Sequence, residues 1–293
     1  MQAFIVATHS NDLVVRWSRA AVAVVVIGVS VAMVILAIRD WSVEDSGAYW
    51  QAALRIREGL PLYTHVPDPG ASEVYRYAPW FAYLWVPLTF LPEGLVLAAW
   101  TVLLLLASVA AVEGLAHESG LAPRLLAALF ASILIWTAAR GNVQPLMIFA
   151  MVTGLPRRSG PLWIALAASL KAVPIAFAVI YVARRDWKAA AWTVGMTAAL
   201  VFPMPFMGWS PDDASPSLSL YYQLSPTVWA VVACASLAAA TILALQRSKH
   251  SPVAAGVAAV LALPRLLIYD ITFLAPSAVR FDGIRRQPNA PES

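Results

Sequence analysis

The sequence predicts an all-α protein that crosses a membrane many times. Of its residues, 60% are hydrophobic and only 12% are charged, and the mean hydropathy is +0.71. An ordinary soluble domain has roughly 25% charged and roughly 45–50% apolar residues. The composition therefore excludes a soluble enzyme, a disordered tail, a coiled coil and a disulfide scaffold. The net charge of +4 does not indicate nucleic-acid binding, because the basic residues stand in short clusters between apolar runs.

The first membrane helix is predicted over residues 20–38, because a hydrocarbon core of about 30 Å needs about 20 apolar residues to cross it. Arg16 and Arg19 precede this run, and basic flanks mark the cytoplasmic side. Residues 1–19 are therefore expected in the cytoplasm. Residues 39–94 are then expected to form a large extracytoplasmic loop.

Two segments of this loop are predicted to lie at the membrane surface. Residues 46–57 form an amphipathic helix in which Tyr49, Ala53 and Ile56 share one face. Residues 78–91 are apolar and aromatic but short, and they either cross the membrane or lie along its outer surface. The positions of the later basic clusters favour the second interpretation.

The remaining apolar runs give a path of about ten full or partial membrane helices within residues 20–279. After the first helix, the runs are 95–112, 125–139, 145–155, 162–170, 174–182, 189–206, 227–245, 252–268 and 271–279. This path places most Lys and Arg residues at cytoplasmic turns, as the positive-inside rule expects. It leaves residues 280–293 as a cytoplasmic tail, so both termini of a plasma-membrane protein face the cytoplasm.

A rival path joins residues 162–182 into one membrane helix and places Arg157 and Arg158 outside. We favour two half-length helices with Lys171 at their outer tip, because this arrangement keeps both arginines cytoplasmic. Half-length helices are tolerated only where they pack on protein or border a cavity.

On this path the unusual polar residues converge on the extracytoplasmic side. They are Asp40, Glu44, Asp45, Tyr75, Arg76, Tyr77, Arg140, Asn142, Gln144, Lys171, Arg265, Tyr269 and Asp270. Ionisable residues at the mouths of membrane helices are functional candidates by default. Simpler interpretations compete: Asp40 as an interfacial charge, Glu44 and Asp45 as helix caps, and the tyrosines as aromatic-belt residues. Arg140 and Lys171 are harder to explain in this way, because each follows an apolar run outside any charge cluster.

Other site chemistries lack the residues they need. The four histidines are far apart and neither HExxH nor CxxC occurs, so no metal site and no cofactor are predicted. The GxxxxGK[ST] loop and the GxSxG elbow are also missing from the sequence. The single cysteine, Cys234, lies in an apolar run, and we expect it to pack among apolar neighbours.

What remains is a small number of carboxylates facing several cations at a membrane surface. Such a set suits group transfer from a lipid phosphate donor. A carboxylate can take the proton from an acceptor hydroxyl as it attacks, and cations can stabilise the charge on the departing phosphate.

Several segments carry a family resemblance, in a consistent order along residues 40–275. They are Asp45-Ser46-Gly47-Ala48-Tyr49-Trp50 with Gly59 and Tyr63; Tyr75-Arg76-Tyr77-Ala78-Pro79; Gly141-Asn142-Val143-Gln144; Leu170-Lys171-Ala172-Val173-Pro174 with the basic return Arg184-Arg185; and Pro264 with Tyr269-Asp270. Together they resemble glycosyltransferase family 87. The chain departs from the family pattern in three ways: Ala78 replaces a proline, the amides of Asn142 and Gln144 are exchanged, and the chain is shorter than usual.

The resemblance implies a membrane-embedded GT-C fold and an activity similar to that of polyprenyl-phosphate-mannose-dependent α-mannosyltransferases. It implies inverting transfer to an extracytoplasmic lipid or glycan acceptor, with Asp45 as the general base. On this hypothesis the donor phosphate is held by Lys171, Arg140 and Arg265. The expected substrate contacts are Glu44, Tyr49, Tyr75, Arg76, Tyr77, Asn142, Gln144, Tyr269 and Asp270.

Two other functions fit the same residues. A non-catalytic protein could bind or transport a polyprenyl lipid through the same anion pocket, or the chain could be a scaffold subunit of a longer glycosyltransferase. The sequence does not indicate an oligomeric state. An ion channel is disfavoured, because no repeated polar or Gly-rich filter segment occurs.

Overall fold

The computed structural model describes residues 2–39, 41–63, 74–116, 121–209 and 220–279, and within them all regular secondary structure is helical. The α-helices are α1 (Gln2–Arg39), α2 (Glu44–Arg57), α3 (Pro79–Trp85), α4 (Glu93–Ala116), α5 (Leu121–Ala139), α6 (Gln144–Gly154), α7 (Gly160–Leu170), α8 (Val179–Ala183), α9 (Trp187–Val201), α10 (Leu220–Leu224), α11 (Pro226–Leu245) and α12 (Ser251–Leu261). The 3-10 helices are Val86–Phe90, Val173–Ala178, Pro205–Met207 and Ile268–Ala278. Asp40 and the predicted tail 280–293 lie outside the described residues.

Four helical segments of the described chain are long and apolar enough to cross a membrane. They are Ala20–Arg39, Glu93–Leu115, Trp187–Met207 and Pro226–Leu245. At most 33% of any of these segments is buried inside the protein, so large apolar surfaces face outward. Exposing such surfaces to water is unfavourable, and a lipid environment removes that cost. The predicted all-α membrane class is supported, and five shorter apolar helices join these four.

The first loop helix begins earlier than the sequence analysis predicts. Helix α2 starts at Glu44, so Glu44 and Asp45 form its first turn and do not precede it. Val43 adopts a left-handed conformation with φ of 48°, and its carbonyl accepts hydrogen bonds from the Ser46 hydroxyl (2.8 Å) and the Gly47 amide (3.0 Å). Two carboxylates in the first turn also interact favourably with the helix dipole.

The helix predicted over residues 252–268 is shorter than expected. Helix α12 ends at Leu261, three residues before Pro264. A proline disfavours helical geometry in the residue before it and lacks the amide hydrogen that a helix needs. The chain resumes as the 3-10 helix Ile268–Ala278, which we call the terminal 3-10 helix.

The predicted break at Lys171 is confirmed. Helix α7 ends at Leu170, and Lys171 has extended backbone angles (φ −139°, ψ 122°). The chain then returns antiparallel to α7, because the Tyr181 hydroxyl lies against the Cα of Gly160 at the other end of that helix. A single helix over residues 162–182 is therefore excluded.

Half-length helices form the centre of the bundle. Helix α12 packs against the terminal 3-10 helix and against Val173–Ala178, while α6 packs against α4 and α7. The face of α12 that is buried consists of small residues, including Ala255, Gly256, Ala258 and Ala259. Small residues let helix backbones approach closely inside a membrane. The half-length helices α6 and α12 therefore pack on several neighbouring elements of the protein.

An aromatic cluster attaches the first loop to this bundle. Tyr49 of α2 is fully buried, and its ring makes edge-to-face contacts with Phe81 (5.0 Å between centroids), Trp85 (5.4 Å) and Trp100 of α4 (6.1 Å). Such pairs are favourable beyond their buried area, by roughly 0.5–1.5 kcal/mol each. Asp45 lies one helical turn before Tyr49, so the cluster also fixes the position of the Asp45 backbone.

Cys234 is exposed on α11, so the expectation that it packs among protein neighbours is wrong. Its run belongs to the candidate span Pro226–Leu245, whose apolar surface faces outward almost all round.

The orientation of the chain can be tested by cysteine labelling in cells, after Cys234 is replaced by Ala. We expect Ser159→Cys to react only with reagents that enter the cytoplasm, and Ala172→Cys to react with an impermeant reagent from outside. Residues 159 and 172 lie on either side of α7, and both are exposed. Labelling of both from one side would contradict the predicted topology.

Candidate functional site

The first turn of α2 is hydrogen-bonded to the turn between α5 and α6. The Asp45 amide donates to the Arg140 carbonyl (3.1 Å), and the Val43 amide donates to the Ala139 carbonyl (3.4 Å). The side-chain amide of Asn142 donates to the Asp45 carboxylate (3.0 Å). Backbone and side-chain contacts together therefore hold Asp45 in one place.

Asn142 is oriented by its second hydrogen bond. Its side-chain carbonyl accepts from the backbone amide of Gln144 in α6 (2.9 Å). The side-chain NH2 group of Asn142 is therefore the group that faces Asp45. Gln144 itself is fully buried and donates to the Thr272 hydroxyl in the terminal 3-10 helix (3.1 Å). The exchanged amides of this turn thus have separate partners: Asn142 contacts the carboxylate and Gln144 contacts another helix.

Gly141 is required by the close approach of these two segments. It has φ of +75°, a conformation that glycine adopts without strain. A Cβ atom at this position would overlap the hydroxyl and Cβ of Ser46. The Gly141 carbonyl also accepts from the indole N–H of Trp100 (2.8 Å).

A second ion pair lies at the tip of the half-helices. The Lys171 ammonium donates to the Asp270 carboxylate at 3.0 Å, and the two side chains are only 17% and 2% exposed. The other oxygen of Asp270 accepts from the Leu267 amide (2.9 Å). Lys171 also lies over the Tyr269 ring, 4.3 Å from its centroid. The Lys171 ammonium has three N–H groups, so it can donate to a further acceptor besides Asp270.

Tyr77 and Tyr269 connect the two carboxylate centres. The Tyr77 hydroxyl lies 3.4 Å from the Tyr49 hydroxyl, and Tyr77 is within electrostatic range of both Asp45 and Lys171. Tyr269 is within range of Lys171, Asp45 and Arg265. Asp45, Lys171 and their neighbours therefore form one cluster, although they come from five separate parts of the chain.

Arg140 completes the cluster on its more exposed side. It forms an ion pair with Glu44 (2.7 Å) and lies over the Trp136 ring at 5.8 Å. The Trp136 ring in turn lies 6.2 Å from that of Tyr269. Three cations (Arg140, Lys171, Arg265) and three carboxylates (Glu44, Asp45, Asp270) thus share the region.

The Asp45 carboxyl group has a raised pKa. Burial is the main cause, and the nearby Glu44 adds to it, whereas the Asn142 hydrogen bond and the charges of Arg140 and Lys171 oppose it. A carboxylate with a raised pKa is a stronger base than an exposed one. Such a shift is common at functional sites.

Tyr75, Arg76 and Tyr49 make contacts within or next to the first loop, and Tyr49 also lies within electrostatic range of Asp45. Tyr75 is 6% exposed and donates to the Ala78 carbonyl (2.7 Å), so it packs inside the first loop. Arg76 donates to the Val74 carbonyl (3.4 Å). Tyr49 is fully buried and accepts from the Val143 amide (3.2 Å). These three side chains support the shape of the loop, while the Nε of Arg265 is buried without a hydrogen-bond partner among the described residues.

Trp136 and Thr272 contact the cluster but are not among the predicted site residues. Trp136 precedes Arg140 by one helical turn, but it lies in a long apolar run where an aromatic residue gives no signal. Thr272 follows Asp270 by two residues and is identifiable only from its contact with Gln144. No group of three or more potential metal ligands occurs in the described parts of the chain.

The ion pair of Lys171 predicts a stability effect that a second substitution reverses. Lys171→Met leaves Asp270 buried and unpaired, which costs roughly 3–5 kcal/mol, so the melting temperature in detergent should fall sharply. Adding Asp270→Asn removes the uncompensated charge and should recover most of the loss. Lys188→Met, at an exposed position, is the control and should change little. A double variant no more stable than Lys171→Met would contradict the account.

Gly141→Ala should destabilise the protein and displace Asp45. The added Cβ meets Ser46, and the left-handed conformation costs an alanine roughly 1–3 kcal/mol. Gly195→Ala in α9 is the matched control, since nothing lies within 4 Å of its added Cβ. Thermal melting of both purified variants checks this, and equal melting temperatures would show that the close approach is not required.

Comparison with known proteins identifies the family. The model of glycosyltransferase family 87 matches residues 75–224, a segment that contains the 140–144 turn and Lys171. Glu44, Asp45 and Asp270 lie outside this segment and join it through the contacts described above. No curated protein and no solved structure matches the chain. Because the family model matches more than half of the sequence, the chain belongs to glycosyltransferase family 87.

Proposed function

We propose that this membrane protein transfers a hexose from a polyprenyl-phosphate donor to the hydroxyl group of an extracytoplasmic lipid or glycan. Mannose is the hexose that the family resemblance favours. The observation that carries the proposal is the position of Asp45, a half-buried carboxylate with a raised pKa in the same cluster as Lys171.

The cations of the cluster are suited to bind the donor phosphate. Lys171 and Arg140 each have a carboxylate partner, so their charges are balanced within the cluster. Both side chains have donors beyond those partners, and the Nε of Arg265 has none of its own. Phosphate oxygens would provide the missing acceptors through charge-assisted hydrogen bonds.

Asp45 would act as the general base. The acceptor oxygen attacks C1 of the sugar, and its proton moves to the Asp45 carboxylate. The bond between C1 and the phosphate oxygen breaks, and its electron pair leaves with the polyprenyl phosphate. Attack opposite the phosphate inverts C1. Lys171 and Arg140 stabilise the charge on the departing phosphate, which therefore needs no proton from a second acid.

The remaining side chains would position these groups. Asn142 keeps Asp45 directed toward the site through a hydrogen bond whose partner atom is fixed by Gln144. Tyr77 and Tyr269 place aromatic surfaces next to Lys171, where the apolar face of a sugar ring could pack. Lys171 and Asp270 are only 17% and 2% exposed, which limits the access of water to that side of the site.

Asp45→Asn should abolish transfer while the fold is retained. Loss of a general base lowers the rate by roughly 100- to 10,000-fold, measured as labelled sugar moved from polyprenyl-phosphate-mannose in membranes. Glu58→Gln removes one acidic charge at an exposed position just beyond the same helix and should leave the rate unchanged. Equal transfer by wild type and Asp45→Asn would remove Asp45 from its role. Donor binding without any transfer by the wild type would favour a lipid-binding protein.

The pH profile should depend on Asn142. The base must be ionised, so kcat/KM should fall as pH drops through the raised pKa of Asp45. The Asn142 hydrogen bond favours the charged carboxylate and lowers that pKa, so Asn142→Leu should move the acid limb to higher pH. The limb can be measured even if the plateau rate falls. An acid limb that stays in place or moves to lower pH would contradict the assignment.

A further inference from the structure

A basic cavity lies at the opposite end of the half-helices from Asp45. Its volume is about 330 Å³, and it opens between α8, the turn from α11 to α12, and the end of the terminal 3-10 helix. Three cations line it: Arg184, Arg247 and Lys249. None of the described residues that line it is acidic.

The three elements that border this cavity also reach the candidate active site. The segment after Lys171 runs through Val173–Ala178 and α8 to Arg184. Helix α12 begins beside the cavity at Ser251, and the chain reaches Arg265 soon after α12 ends. The terminal 3-10 helix begins at the site with Tyr269 and Asp270 and ends at the cavity. The cavity and the candidate active site are separated by the length of α12, whose 11 residues rise about 1.5 Å each, or about 16 Å in total.

Hydroxyl groups add hydrogen-bonding capacity to the cavity. Ser248, Ser251 and Ser277 contribute to its lining. The hydroxyls of Ser251 and Ser277 donate to the carbonyls of Ser248 and Leu274, and each can exchange that hydrogen bond for one to a phosphate oxygen, which is a stronger acceptor. Helix α12 begins here, and a helix start favours negative charge.

One acid lies near the cavity. Asp186 is within electrostatic range of Arg184 and also accepts a hydrogen bond from the Ala189 amide at the start of α9 (2.9 Å), so its single negative charge offsets at most one of the three positive charges. Arg247 and Lys249 are exposed, and no ion pair joins either to an acid among the described residues. The cavity therefore keeps excess positive charge.

Part of the cavity lining is apolar. It consists of Ile180, Ala183, Pro252 and Val279, and the exposed apolar face of α11 lies close by, since α11 packs on both α8 and α12. A lining that combines cations with apolar side chains, at the end of membrane helices, matches the headgroup and upper chains of an anionic phospholipid.

We infer that this cavity binds a phosphate group, supplied either by the headgroup of an anionic membrane lipid or by free phosphate. Arg184, Arg247 and Lys249 contact the phosphate oxygens. When the ligand is a lipid, the apolar part of the lining packs against the adjoining glycerol and acyl chains. This site is separate from the proposed donor site at Lys171, so it stands or falls independently of the glycosyl transfer.

Native mass spectrometry of the full chain in detergent tests the inference with three probes: phosphatidylglycerol, phosphatidylcholine and inorganic phosphate. Wild type should retain phosphatidylglycerol about tenfold better than phosphatidylcholine. Both lipids carry a phosphate, but the choline cation neutralises it in phosphatidylcholine and would lie close to the cations that line the cavity. The variant R247Q/K249Q should lose this preference. Both side chains are exposed, so their replacement does not disturb the core, and an unchanged circular dichroism spectrum would verify this.

The control variant R157Q/R158Q removes two exposed charges from the turn before α7 and should keep the preference. If inorganic phosphate binds wild type but not R247Q/K249Q, and wild type prefers neither lipid, the site is assigned to free phosphate. The inference is overturned if wild type prefers none of the probes, or if both double variants lose binding equally.

Discussion

The docking of the α2 amino terminus on the turn between α5 and α6 is the contact on which the candidate site depends. Helix α2 belongs to a loop, and only packing and hydrogen bonding to the bundle give Asp45 a fixed position. Gly141 permits the approach, Asn142 fixes the carboxylate, and the Tyr49 cluster anchors the helix one turn later. Removing any of the three would leave a carboxylate near the bundle without a defined direction.

The half-length helices explain why the polar groups can be buried at all. Each helix end leaves backbone groups without partners inside the helix, and such ends are tolerated at membrane depth only within protein. Here the end of α7 meets the start of the terminal 3-10 helix at the Lys171–Asp270 ion pair, and the end of α5 meets it through the rings of Trp136 and Tyr269. Lys171 and Asp270 neutralise each other there, and backbone amides such as that of Leu267 find side-chain acceptors.

Sequence patterns predicted the long helices and the break at Lys171, because apolar runs and prolines are local signals. They also indicated Arg140 and Lys171, two cations that no charge cluster explains. The first turn of α2 was misjudged because the left-handed backbone of Val43 has no signal in the sequence. The end of α12 was misjudged because the apolar run continues past Pro264 to Ile268, and this run was given more weight than the proline. The pairing of Asp45 with Asn142 and of Lys171 with Asp270 joins residues almost a hundred positions apart, which a single sequence does not encode in any readable pattern.

The most direct measurement is an electron cryomicroscopy structure of the chain with a polyprenyl-phosphate-sugar donor bound. The account predicts donor phosphate oxygens within hydrogen-bond distance of the Lys171 ammonium, with Asp45 facing C1 of the sugar from the side opposite the phosphate. A donor whose phosphate lies away from Lys171, or whose C1 is out of reach of an acceptor held by Asp45, would contradict it.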